Sequence, residues 1–505
     1  MRARAAALAK FGAEEHCGEA LTDAMEIGAQ RAGLQKVVQG ILGERRAKYS
    51  DMTIVSTVRR KHAIRVASLV CSLVALLAAA IFATRGHAQT KAPATYPQEI
   101  SRVTFAVAGD VIPHEPVVEA AKAAATSDNH DGWDALFANV SDVFRGADFG
   151  FVNLETPDAP KHSLGTKAFQ FNAPIALLDS LKFNGINVVS FANNHVMDQG
   201  WAGFNESLEH LREEGLLFVG SGATADAAWQ PLILEKNGIR IGWLGMTRWL
   251  NGNRNPSKDS QPHVAFFPYP GESMGAPGRD EAGVLAAIKA ARAECDLLLI
   301  SIHWGIEYAP MPRPEDVDEA HKFLEAGASA VVASHPHVLQ PIETYVTQDQ
   351  RKTVIFYSLG NFLSNQSATY VQDLMPDKTA EPRESIIAKF AIVKKDYGPA
   401  GTRVELSDVG IMPIWEENNR LALRSGRAKA SSIYPVFMDR VIPQLQARVD
   451  QLNQTGAQMT DAQKQEFTQV LNQLAMLKHQ REMVLDRTGD EYVVAPPALP
   501  ATPSH

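Results

Sequence analysis

Apolar stretches along this chain stop abruptly, at six places, on residues able to bind a metal or grip a substrate. The clusters are Gly109-Asp110, Asn153-Leu154-Glu155, Asn193-Asn194-His195, His303-Trp304-Gly305, His335-Pro336-His337 and Ser358-Leu359-Gly360-Asn361. Carboxylates, imidazoles and amides are costly in a core when unpaired. In α/β folds, by contrast, the carboxyl ends of strands line the ligand crevice. Clusters far apart in sequence can therefore meet, and the pattern predicts one site at the strand ends of a layered domain.

The spacing between clusters supports that architecture. Short apolar runs at 103–108, 149–154, 186–191, 296–302, 329–333, 341–346 and 353–357 read as strands. Amphipathic spacing predicts helices over 116–125, 133–144, 174–183, 201–214, 282–293 and 315–326. Asn237-Gly238, between runs at 231–235 and 240–245, is a two-residue hairpin signal. Strands alternating with helices argue for an α/β class, and the later strands without helices between them for a mixed or two-sheet arrangement.

Each cluster has a bland reading beside the chemical one. Gly109-Asp110 reads equally as a turn, Glu155 as a helix or loop cap, and His303 as a satisfied core histidine. His335 and His337 are harder to dismiss, because two imidazoles flanking a proline can face one point. Neutral imidazoles with carboxylates suit zinc, manganese or iron. Together the set fits metal-assisted hydrolysis, in which divalent ions activate water and neutralise developing charge. Asn194 then suits a ligand and the adjacent His195 a proton donor.

Length and charge narrow the partners. At 505 residues and 45% apolar content, the chain can bury a sizeable core in more than one domain. Residues 1–51 read as a non-native upstream extension preceding Met52, or as a cytoplasmic segment. Basic residues from Arg59 to Arg65, an uncharged run at 66–83 and Gly86-His87-Ala88 read as a secretory signal peptide, or as an uncleaved anchor. The bulk of the chain is then exported, to a periplasmic or other extracytoplasmic face. Of 49 basic and 57 acidic residues, 36 and 50 lie after position 88, a balance near −14 that disfavours nucleic acid. Cys295 alone lies beyond the signal, which excludes an internal disulfide in one mature chain. Residues 89–99 read as a linker, 100–428 as the main domain, 429–490 as a Gln-rich helical hairpin with a Thr460/Gln463 capping box, and 491–505 as a disordered tail.

Five stretches carry a resemblance: Asn153-Leu-Glu-Thr-Pro157, Ala192-Asn-Asn-His195 with Asp198 and Gly200, Ser301-Ile-His-Trp-Gly-Ile-Glu-Tyr308, Ser334-His-Pro-His-Val338 with Gln340, and Tyr357-Ser-Leu-Gly-Asn-Phe362. From about residue 103 to 362 the chain resembles the capsule-synthesis CapA family of the calcineurin-like metallophosphoesterase superfamily. The resemblance implies an αββα sandwich and a role in making or exporting an anionic surface polymer, poly-γ-glutamate in the best-known members. It implies metal ligands at Asp110, Asn194, His303, His335 and His337, a bridging carboxylate at Glu155, a proton donor at His195, and one or two divalent ions (Mn, Zn, Fe or Mg). The chain departs from the superfamily at Asp110-Val-Ile112, where Asp-x-His is usual and the nearest imidazole is His114. It departs again at Glu155, usually Asp, and at Ser334, usually Gly.

Around that centre, Asp198 is a candidate to orient His195 or to cap the next helix. Substrate contacts are expected from His114, Asn153, Trp304, Glu307, Tyr308 and Asn361. Trp304 also reads as core filler, and Arg248 with Trp249 as a grip for an anionic group. Three functions stay open: a metal-dependent hydrolase or transferase of an envelope polymer, a non-catalytic polymer-binding part of a membrane-bound synthase or export complex, and a general periplasmic phosphatase.

Overall fold

The computed structural model describes residues 95–271 and 278–498. The expected extension, the signal or anchor, most of the linker and the end of the tail lie outside the described residues. Among those described, no helix is long and apolar enough to cross a membrane.

One sheet is built on four parallel strands, β1 (Gln98–Val111), β2 (Phe149–Leu154), β3 (Ile186–Ser190) and β4 (Leu217–Val219). A short antiparallel pair follows, β5 (Ser221–Gly222) with β8 (His263–Val264). The second sheet begins with the antiparallel hairpin of β6 (Leu232–Lys236) and β7 (Ile239–Thr247). Asn237 and Gly238 both have positive φ, 53° and 71°, the turn that matches strand twist. β9 (Leu297–His303), β10 (Ala328–Ser334), β11 (Ile342–Val346) and β12 (Lys352–Phe356) complete that sheet in the order β11-β12-β10-β9-β7-β6. The chain then returns to the first sheet with β13 (Asn361–Leu363), β14 (Glu384–Asp396), β15 (Thr402–Asn418) and β16 (Ile433–Phe437). Its order is β16-β15-β14-β1-β2-β3-β4, with β13 paired to the end of β1.

Alternation along the strands sorts the side chains into three cores. Val103, Phe105 and Val107 of β1 meet Trp243, Leu297 and Leu299 between the sheets. Ala106 and Ala108, on the opposite face, pack with Trp133, Phe137 and Leu177 of the outer helices. Beyond the second sheet, Leu298 and Ile300 pack against Ile288 and Phe323. The result is an αββα sandwich. Across the middle layer Phe151 stacks on Trp243 at 4.3 Å between centroids, a geometry that contributes about 0.5–1.5 kcal/mol beyond area burial. Cys295 is a buried small side chain beside this framework.

The C-terminal hairpin comprises Met438–Gln454 and Asp461–Thr488, and the Thr460/Gln463 capping box starts its second helix. Its Leu477 and Val484 enter the inter-sheet core. Three expectations differ from the structure. The helix expected over 133–144 is two short ones, Trp133–Phe137 and Ser141–Arg145, with a turn between them. Residues 429–437 are not helical, because β16 adds to the edge of β15, and β1 begins at Gln98, inside the expected linker.

Candidate metal centre

All six clusters lie at the carboxyl ends of strands from both sheets. The ends are forced together at Gly109, where a Cβ would lie 1.8 Å from the carbonyl oxygen of Gly360. Asp110 N donates to that oxygen at 3.1 Å, and Glu155 N donates to Val111 O at 3.1 Å. Two carboxylates are thereby held side by side. Opposite them, β9 delivers His303 and the loop after β10 delivers His335 and His337. Both loop histidines have left-handed backbone, φ 101° and 58°. Such conformations cost about 1–3 kcal/mol each and persist where the surroundings over-determine them.

Ligand atoms converge on Glu155, a fully buried residue. Its Oε1 lies 3.6 Å from His303 Nε2, 3.9 Å from His337 Nε2 and 3.9 Å from His195 Nε2. Among the described residues that oxygen has no hydrogen-bond partner. Around His303 Nε2 stand Asn194 Oδ1 at 2.9 Å and His335 Nδ1 at 3.0 Å. Donor atoms bound to one cation at about 2.0–2.2 Å stand roughly 3–3.5 Å apart, so the spacing fits. Two overlapping groups, Glu155/His335/His337 and Asp110/Glu155/His303, each bring their ligand atoms within 4.8 Å of one another. These buried groups could hold a metal ion.

Electrostatics agrees with the geometry. Burial, then the charges of Asp110, Glu307 and Asp198, push Glu155 well above the ordinary carboxylate range. Burial, then neighbouring imidazoles, hold His303 and His335 well below the ordinary imidazole range. A bound cation would reverse the penalty on the carboxylate and use the bare lone pairs of the rings.

A supporting shell orients His337, His303 and His195. His337 Nδ1 lies 3.1 Å from both Asp110 Oδ2 and Asn361 Oδ1, which turns its Nε2 toward Glu155. His303 Nδ1 pairs with Ser334 Oγ at 3.0 Å. His195 Nδ1 pairs with Asp198 Oδ2 at 2.8 Å, and the same oxygen accepts from Phe171 N at 2.7 Å. Asp198 therefore orients His195 and caps no helix; the next helix, Gly200–Glu213, has no side-chain cap. Phe171 covers His195 at 4.6 Å between ring centroids.

A profile described as "Bacterial capsule synthesis protein PGA_cap" matches residues 104–366, more than half of the chain. The chain belongs to this family. It is 29% identical over 295 residues to "PGA biosynthesis protein CapA" of Bacillus subtilis (strain 168), covering 58% of this chain and 70% of that protein. It is 27% identical over 326 residues to "Capsule biosynthesis protein CapA" of Bacillus anthracis, covering 64% and 74%. A "probable polyglutamine synthesis accessory protein" of Mycobacterium tuberculosis (strain CDC 1551 / Oshkosh) is 27% identical over 183 residues, covering 35% and 45%.

Within the span shared with PGA_cap proteins, four expected substrate contacts have other work. Trp304 is fully buried and donates from Nε1 to Tyr357 O at 3.1 Å, so it is core. Arg248 turns away from the centre, its guanidinium 3.5 Å from the Phe267 ring and paired with Glu319 at 3.5 Å. Asn153 is buried and spends its amide on Asp110 (2.8 Å), Glu155 (3.3 Å) and His303 (3.4 Å). Asn361 donates to His337 O and Pro382 O. Both amides hold ligands in place and do not face solvent. Glu307 and Tyr308 are exposed at the rim, with Tyr308 6.0 Å from the His337 ring. Imidazole His114 accepts from Asn365 N at 3.2 Å and packs edge-on against Phe171. Burial, then the His337 charge, pushes it down to about 4. Ile112, where the resemblance led to the expectation of an imidazole, is buried and apolar.

Sequence reasoning missed three contributors. Asn251 accepts from Asn194 Nδ2 at 3.2 Å from a left-handed position, and its Asn-Gly dipeptide signals only a turn. Phe171 lies in an irregular loop with no periodic signal. Asn193, noted only as part of its cluster, donates to Leu154 O at 2.8 Å and to Asn153 Oδ1 at 3.2 Å.

Proposed function

We propose that this protein is an exported, metal-dependent hydrolase or transferase acting on a phosphoester or amide-linked bond of an anionic envelope polymer, in capsule or poly-γ-glutamate biosynthesis. The observation that carries the reading is the buried Oε1 of Glu155, without a hydrogen-bond partner among the described residues, facing three imidazole nitrogens at 3.6–3.9 Å. Asp110, Glu155, Asn194, His303, His335 and His337 would hold one or two divalent ions, of the manganese, zinc, iron or magnesium kind. Apolar Ile112 in place of an imidazole favours one tightly held ion over two equal ones. Bound there, a divalent ion supplies positive charge for a developing oxyanion and a nucleophilic water at neutral pH.

The protein's own groups do the rest. Asp198 accepts from His195 Nδ1, leaving Nε2 to hold the proton that a leaving group takes. Phe171 keeps bulk water from that ring. Tyr308 and Glu307 at the rim orient a polymer unit, and a membrane-bound synthase or export complex would deliver it. Family membership and the printed names of the relatives support the polymer class.

The test separates catalysis from binding. His195→Ala should fold, keep its metal and lose about 10²–10⁴-fold in turnover, with capsule output falling at normal protein abundance. Normal output from a folded His195→Ala protein would contradict catalysis and favour a polymer-binding component. Activity on generic phosphoesters alone would favour a general phosphatase.

A further inference from the structure

The C-terminal hairpin lies outside the residues matched to the family, yet one of its side chains reaches the centre's supporting loops. Arg487, in the last turn of Asp461–Thr488, donates from Nη1 to Leu339 O at 2.9 Å and to Pro310 O at 3.4 Å. Its Nη2 pairs with Glu381 Oε1 at 3.2 Å. Each partner is a short step from a ligand. Leu339 closes the loop that carries His335 and His337. Pro310 ends the rim segment that follows Tyr308, whose N donates to Pro336 O at 2.8 Å. Glu381 precedes Pro382, whose carbonyl accepts from Asn361 Nδ2 at 2.9 Å while Asn361 Oδ1 faces His337 Nδ1 at 3.1 Å.

We infer that Arg487 is a positioning residue for the metal centre, a fork that ties the His335/His337 loop, the rim segment and the Asn361 support to one guanidinium. The physical need is clear in the backbone. Two consecutive ligands in left-handed conformation relax unless several contacts hold them, and a planar guanidinium can hold three acceptors in fixed relative positions. The helix does not depend on Arg487 for its own seat, because Leu477 and Val484 are buried in the inter-sheet core and Gln480 bonds Tyr370 at 3.1 Å. The hairpin is thus part of the site's scaffold.

This inference rests on the metal-centre reading, and two measurements on the full chain keep them apart. Divalent affinity should fall about tenfold in Arg487→Ala, the low end for outer-shell partners, and recover in part in Arg487→Lys. The control is Arg481→Ala, which breaks only the pair with Asp439 inside the hairpin and should bind metal as wild type does. Hydrogen exchange of the metal-free protein should speed up at the amides of Val338–Gln340 in Arg487→Ala and not in Arg481→Ala. Wild-type protein that binds no divalent ion would overturn the metal centre. Unchanged exchange at 338–340 in Arg487→Ala, or equal affinity losses in Arg487→Ala and Arg481→Ala, would overturn the role of Arg487.

Discussion

The first sheet gives the centre its carboxylates and amides, Asp110, Glu155 and Asn194, while the second gives three imidazoles, His303, His335 and His337. Burial acts on the two halves in opposite senses. It pushes Glu155 up toward its neutral, protonated form and holds His303 and His335 down in their neutral, bare form. Their backbones differ as well. Asp110 keeps extended strand backbone although the pairing shifts register on either side of it, whereas His335 and His337 need left-handed φ. Asp110, Glu155 and His303 are thus placed at strand ends and His335 and His337 by a strained loop braced from outside, and a cation would satisfy both sets.

The comparison can be broken at Glu155, which belongs to both ligand groups. Losing an outer-shell partner alone costs roughly 10–100-fold in metal affinity, so Glu155→Gln, which removes a carboxylate shared by both groups, should lower divalent affinity by about 10²–10⁴-fold. Chelated Glu155→Gln protein should be no less stable than chelated wild type, since the substitution removes a penalised carboxylate. Calorimetric titration and thermal melts check both outcomes. A smaller effect falls on either half alone. Asp110→Asn and His335→Ala should each lose roughly 10–100-fold in affinity, and a loss confined to one half would break the shared-site account.

Proton release sharpens the contrast. A bound carboxylate must be ionised, so Glu155, which burial holds toward its protonated form, releases a proton on metal binding. Affinity should therefore rise with pH above the ordinary carboxylate range. Titration in buffers of different ionisation heat should show the release in wild type and its loss in Glu155→Gln. In the metal-free protein the halves pull stability in opposite directions. Depressed His303 and His335 make the unfolded chain the stronger proton binder, so they lower stability as pH falls below about 6.5. Glu155, raised, lowers stability as pH climbs above about 4.5. The smallest effect on the centre is expected at Arg248. Arg248→Met should leave metal affinity unchanged while destabilising the fold by roughly 1–3 kcal/mol, because it leaves the buried Glu319 carboxylate without its partner.

The same contrast governs what the sequence revealed. Strand ends were legible because an apolar run that stops at Asn193-Asn194-His195 or at His335-Pro336-His337 has few structural excuses. Helices with one buried face, such as Gly200–Glu213, were legible from their period. β14 was not, because both its faces are buried. Ile386 enters the inter-sheet core and Ile387 the helix-side core, which erases the period of two. Trp304 misled for a related reason, since successive residues of an extended segment point to opposite faces and this neighbour of His303 faces the core. Arg248 misled because a basic-aromatic pair does not fix direction, and its guanidinium packs on Phe267 and pairs with Glu319. Asn153 and Asn361, expected as substrate contacts, lie beside the candidate centre, where the structure shows their hydrogen bonds spent on neighbouring side chains and backbone.

The most direct test of the account is the metal content of purified full-length protein, measured beside Glu155→Gln and repeated after chelation with thermal melts. The account predicts near-stoichiometric divalent metal in wild type, little in Glu155→Gln, and a melting temperature that falls on chelation and returns on reloading. Wild-type protein with no bound metal and a melting temperature indifferent to chelator would contradict it.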